Sequence, residues 1–145
     1  RRQRQMCIRD RLTARLAAAV YRQYEASGSG FHSALTLGVI TPYRSQIALI
    51  KSEIAALGIP VLNDILVDTV ERFQGSERDV IIYSFCVNRT YQLKFLANLT
   101  EERGVWIDRK LNVALTRARK QLFMTGVPHL LRQNPIYADL LDTVL

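Results

Sequence analysis

Residues 79–87 (DVIIYSFCV) form a run that is apolar along nearly its whole length. It is too short for a buried helix and shows no polar alternation. It therefore reads as a strand covered on both faces, as in a parallel sheet. Shorter runs of the same kind occur at 35–40, 65–68 and 122–125. Segments of helical period separate them. Leu12, Leu16, Val20 and Tyr24 recur every four residues in a helix predicted over 10–26. Thr41 suits the N-cap and Pro42 the first position of the next helix, lined by Ile47, Ile50, Ile54 and Leu57 and stopped at Gly58. Asp108 caps a third, running to about Arg119 with Leu111, Leu115 and Ala118 facing the core, and Pro135 opens a closing amphipathic helix. Residues 88–107 read as an irregular insertion with a short apolar anchor at Phe95 and Leu96. Strands alternating with helices predict an α/β three-layer sandwich with a mostly parallel sheet. Such sheets bind ligands at the carboxyl ends of their strands, where the polar segments 41–46, 69–77 and 126–129 fall.

The net charge of +7 invites a nucleic-acid partner, but its distribution weakens the argument. Residues 1–11 (RRQRQMCIRDR) hold five arginines against Asp10 alone, so more than half of the excess lies there. That run reads either as a genuine basic arm or as a non-native or disordered extension resembling translated adapter sequence, with the domain proper over 12–145. No apolar stretch approaches the ~20 residues of a membrane span, and no signal peptide is visible, since no apolar core or small-residue cleavage site follows the basic start. Cys7 and Cys86 have no metal-ligand spacing and suit a reduced, cytoplasmic setting; His32 and His129 stand alone, and no metal site is expected.

Three segments carry chemistry: ITPYRSQ at 40–46, VDTVERFQGSERD at 67–79 and RKLNVALTRAR at 109–119. In this order they resemble motifs IV, V and VI of superfamily 1 helicases, most closely the 5′-to-3′ branch with its RNA-surveillance and replication-repair members. The resemblance covers about 35–145 and implies the second RecA-like domain. On one helix, Arg117 and Arg119 project about 200° apart and cannot serve one site. The resemblance makes Arg117 an arginine finger stabilising charge in phosphoryl transfer; as an isolated residue it reads equally as a solvated helix arginine. Arg119 is left as a nucleic-acid or structural contact, or plain surface.

Gly75 would permit close approach of backbone to phosphate or ribose, and Glu77 would accept hydrogen bonds from ribose hydroxyls. The plainer alternative is an ordinary turn with Glu77 paired to Arg78. Thr69 and Thr41 are placed to meet nucleic-acid phosphates, with Tyr43 stacking or packing and Arg44 beside it. Gln46 is expected to order its motif. The chain lacks a GxxxxGK[ST] loop and an acidic Mg²⁺ motif, which belong to the first RecA-like domain of that superfamily. The expectation is therefore a fragment of an ATP-dependent helicase, silent alone, whose ATP and Mg²⁺ are held mainly by an absent first domain. Single-stranded nucleic acid is the expected partner, DNA favoured over RNA. The competing reading is a non-motor nucleic-acid-binding or regulatory α/β domain, recognisable by salt-sensitive single-strand binding of this chain alone.

Overall fold

The computed structural model describes residues 2–85, 99–102, 105–126, 128–133 and 135–144. Four strands form one sheet: β1 (Leu37–Ile40), β2 (Leu66–Asp68), β3 (Arg78–Ser84) and β6 (Ala118–Thr125), in the order β2-β1-β3-β6. Every pairing in it is parallel. The expected α/β sandwich is thus what forms. A separate antiparallel pair, β4 (Leu99–Glu102) and β5 (Val105–Asp108), occupies part of the segment read as irregular. The rest of that segment, with Phe95 and Leu96, lies outside the described residues, as do Cys86 and Val87 at the end of the predicted third strand.

Period-two geometry sends successive strand residues to opposite faces. Leu37, Val39, Val80 and Ile82 enter one core with Ile50 and Ile54 of α2 (Arg44–Ala55) and Ala14, Ala17 and Val20 of α1 (Arg2–Ala26). Ile40, Ile81 and Tyr83 enter the other with Leu111 and Ala114 of α3 (Arg109–Arg117), the 3-10 turn Val70–Phe73, Leu131 of α4 (Pro128–Leu131) and Tyr137 of α5 (Pro135–Val144). Tyr83 stacks on Phe85 at 4.2 Å, and Tyr137 meets Phe85 edge-on at 5.5 Å. Both faces of the sheet are buried, which explains why β1 and most of β3 carry no polar alternation.

The helices differ from expectation in three ways. First, α1 begins at Arg2, so the basic run and the predicted helix are one element. Its buried residues are Asp10, Thr13, Ala14, Ala17, Ala18 and Val20, whereas Leu12 is exposed. The alanines let the helix lie close to the sheet, turning the leucine stripe toward the rim. Second, Tyr43 rather than Thr41 caps α2, and Arg44 rather than Pro42 is its first residue. Thr41 still extends β1, donating its N–H to Asp68 O at 3.1 Å, and this delays the helix. Third, α3 ends at Arg117, and Ala118 and Arg119 already belong to β6. No helix among the described residues is long and apolar enough to cross a membrane.

This packing makes two stability tests specific. A Cβ at Gly38 would sit 2.7 Å from Phe73 Cε1 and 3.2 Å from Arg78 Cγ. Gly38→Ala is therefore expected to cost about 1–3 kcal/mol by overpacking, read from urea unfolding; an unchanged midpoint would contradict this contact. Burial, with Glu53 adding and Arg9 partly offsetting, raises the Asp10 carboxyl from 3.8 to about 6. Between pH 4 and 6 the folded chain then holds more of this proton than the unfolded chain, so its contribution to stability falls as pH rises. Asp10→Asn should gain on the parent across that window and level off above it. A pH-independent difference between the two would show that Asp10 titrates normally.

Candidate functional site

In an all-parallel sheet every strand begins at one edge and ends at the other. The expected site residues divide between these edges. Thr41 and Thr69 follow β1 and β2 at the carboxyl edge, where Ile40 pairs in register with Asp68. Thr41 is fully enclosed and Thr69 nearly so. Asp68 organises the pair. Its Oδ1 accepts the Thr69 N–H at 2.7 Å, and its Oδ2 lies 3.5 Å from Arg72. The Thr69 amide read from sequence as a phosphate donor is therefore already used, leaving the hydroxyl. Tyr43 is half-buried at the start of α2, and Arg44 is exposed in its first turn. Gln46 is buried; its backbone N–H bonds to Tyr43 O at 3.0 Å, and its side-chain Oε1 is enclosed without a hydrogen-bond partner among the described residues.

Gly75, Glu77 and Arg117 lie at the opposite, amino edge. The turn Val70–Phe73 carries the chain across the face of the sheet, so 69–77 does not stay at the carboxyl ends where sequence reasoning put it. Only Thr69 remains there. Phe73 packs over Gly38, the close approach described above, and anchors this crossing. Gly75 adopts φ +74°, and nothing lies within 4 Å of the place a Cβ would occupy, so conformation rather than space calls for glycine. Glu77 then precedes β3 with its carboxylate exposed. Arg117 closes α3 immediately before Ala118, the register partner of Arg78. Its Nε is buried with no hydrogen-bond partner among the described residues.

From the sequence, Asp79 has no role beyond opening a strand, and Arg78 only that of a partner to Glu77. Arg78 Nη1 donates to Ser76 Oγ and to the Glu77 carbonyl, both at 2.8 Å. It thus holds the backbone of the turn, not the Glu77 carboxylate with which the plainer reading paired it. Burial, followed by repulsion from Arg119, lowers the pKa of Arg78. Pairing of β3 with β6 slips here: Arg78 faces Ala118 but Val80 faces Gln121, one extra residue on β6. Arg119 and Lys120 consequently oppose Asp79 together, at 3.0 and 3.7 Å from its two oxygens. Arg119 Nη2 also donates to Leu35 O at 3.0 Å. Arg119 is a structural clamp, separated from Arg117 by the end of the helix rather than by the helical angle.

The described residues bring no three metal-type ligands together. A cavity of about 380 Å³ beside β6 and α5, lined by Phe85, Leu122, Met124 and Tyr137 among others, is almost wholly apolar and contains none of the expected residues.

Residues 4–129 match a protein family described as an AAA domain. The chain belongs to that family. This AAA domain is related to helicases. It is 34% identical over 108 residues to the DNA replication ATP-dependent helicase/nuclease JHS1 of Arabidopsis thaliana, covering 74% of this chain and 7% of that protein. It is 36% identical over 110 residues to Helicase sen1 of Schizosaccharomyces pombe, covering 75% of this chain and 6% of the relative. To the RNA helicase Mov10l1 of Mus musculus it is 36% identical over 117 residues, 76% of this chain and 9% of the relative. The chain thus spans under a tenth of each of these proteins. Its parallel sheet and flanking helices accord with a RecA-like fold.

The Asp79 clamp is partly solvent-exposed, and such ion pairs contribute little. Arg119→Ala is expected to lower the unfolding free energy by no more than about 1 kcal/mol. A loss as large as that of Gly38→Ala, compared in the same urea titrations, would make the clamp a structural keystone instead.

Proposed function

We propose that this AAA domain is the second RecA-like domain of a superfamily 1 helicase of the 5′-to-3′ branch, supplying the arginine finger and part of the single-strand track. The observation that carries the reading is the segregation of the expected residues. Gly75, Glu77 and Arg117, the nucleotide-directed set, gather at the amino edge. Thr41, Tyr43, Arg44 and Thr69, the nucleic-acid set, gather at the carboxyl edge. A motor domain has to hold two ligands at once and couple them. Two clusters separated by the length of a strand, roughly 20 Å for the seven residues of β3, suit that task.

The residues fit a nucleotide chemically. Arg117 is a partly exposed planar guanidinium at this edge, suited to phosphate oxygens that gain charge as the terminal bond breaks. Glu77 offers an acceptor of the kind ribose hydroxyls need. ATP supplies the phosphoryl group, and a Mg²⁺ ion accompanying it would draw its protein ligands from a first RecA-like domain. Arg117 then donates into the cleft between the domains, while Gly75 and Glu77 orient the nucleoside. At the other edge, the Thr69 hydroxyl and the Arg44 guanidinium contact the phosphates of a single strand, and Tyr43 offers a ring to a base. DNA and RNA helicases both stand among the relatives, so single-stranded nucleic acid is the partner proposed.

The test uses the full-length protein. Arg117→Ala should reduce ATP turnover by about 10³-fold or more while nucleotide affinity changes only a few-fold. Turnover near that of the parent would remove Arg117 from catalysis and the finger from this reading.

A further inference from the structure

The amino edge holds more positive charge than an arginine finger needs. Arg78, Arg117, Arg119 and Lys120 meet there with two carboxylates, Glu77 and Asp79. The bulge commits Asp79 to Arg119 and Lys120. Glu77 points its carboxylate to solvent, and Arg78 contacts only its carbonyl. Arg78 and Arg117 are therefore two half-buried guanidiniums with no carboxylate partner among the described residues. In each, Nε is enclosed and without an acceptor. Their backbones are neighbours, since Arg78 pairs with Ala118, the residue after Arg117, across a parallel spacing of about 4.8 Å. The Arg78 stem also lies beside Phe73, on the face where α3 packs.

Two half-buried guanidiniums at neighbouring backbone positions, neither with a carboxylate, are costly unless an anion joins them. We propose that Arg78 and Arg117 together form a two-guanidinium site for a phosphate chain, with Arg78 as a second phosphate ligand beside the finger. This deepens the nucleotide reading of the same edge and rests on it. Arg78 has the geometry for a double role. One nitrogen is anchored to Ser76 Oγ and the Glu77 carbonyl, which fixes the turn carrying Glu77. The other terminal nitrogen, Nη2, is left for phosphate oxygens. A single side chain thereby ties the position of the ribose acceptor to that of the phosphates. Burial, and after it repulsion from Arg119, lowers the pKa of Arg78.

The experiment is calorimetric titration of sodium tripolyphosphate, and separately of ATP, into the 145-residue chain at low salt. Arg78→Gln and Arg117→Gln should each weaken tripolyphosphate binding by about tenfold, the worth of a charge-assisted hydrogen bond. Arg15→Gln, an exposed change on α1, should alter it less than about twofold. Arg78→Lys keeps the charge but not the fork and should recover only part of the affinity, binding several-fold tighter than Arg78→Gln. Circular dichroism of each variant verifies the fold. Parent-like binding by Arg78→Gln, or equal losses from Arg15→Gln, would overturn the inference. So would an Arg78→Lys loss as deep as that of Arg78→Gln, which would make Arg78 a holder of the turn only. If Arg117→Gln alone weakens binding, Arg78 is no phosphate ligand while the nucleotide reading stands. Absence of any tripolyphosphate binding by the parent overturns the two-arginine site, and the finger is then judged by turnover of the full-length Arg117→Ala protein.

Discussion

Burial of the β1–β3 pair on both faces governs this molecule. Once Leu37, Val39, Val80 and Ile82 are committed to one core and Ile40, Ile81 and Tyr83 to the other, neither face can offer a polar surface. Chemistry is driven to the strand ends, where backbone groups run out of neighbours. Because all four strands point the same way, there are two such ends of opposite character. One is built around Asp68, whose carboxylate accepts the Thr69 N–H and whose backbone carbonyl accepts the Thr41 N–H. The other is built around arginines.

Passage between the two ends depends on one small contact. Val70–Phe73 must cross the sheet closely enough for residues 75–77 to arrive at the amino edge, and Phe73 achieves this by lying directly over Gly38. The absence of a side chain in β1 thus decides where the Glu77 carboxylate emerges. The packing of Leu111 and Ala114 of α3 in the same cluster then delivers Arg117 to that edge.

The architecture was legible in the sequence because continuous apolar runs and 3.6-residue periods are signals of burial, and burial decides the layers here. The stripe on α2 was readable for the same reason: Ile50 and Ile54 are buried, with Ile47 and Leu57 packed at the margin. The α1 stripe was readable in part: Val20 is buried and Leu16 and Tyr24 pack at the margin, while Leu12 is exposed because alanines make the close contact with the sheet. The cap at Thr41 was misread because a strand hydrogen bond to Asp68 competes with helix initiation, and sequence alone does not show which wins. Among the proposed site residues, the resemblance to helicase motifs singles out Arg117, Glu77 and Thr69, but position along a chain does not say at which edge each emerges. Arg78 and Asp79 were invisible as individuals, since their roles arise from a register shift that no local pattern announces.

That shift also bears on tolerance to insertion and deletion. Regular alternation would send the side chains of Arg119 and Lys120 to opposite sides of β6. One surplus residue brings both to the same carboxylate, and from Val80 onward the ladder resumes in step through Ser84 and Thr125. Removing a single residue there would leave the core untouched, yet straighten the strand and delete one of the two cations. Asp79 would then be half released, free to neutralise one of the arginines beside it. In this fold a change in chain length, more than a change in chemical type, sets how much positive charge the amino edge presents.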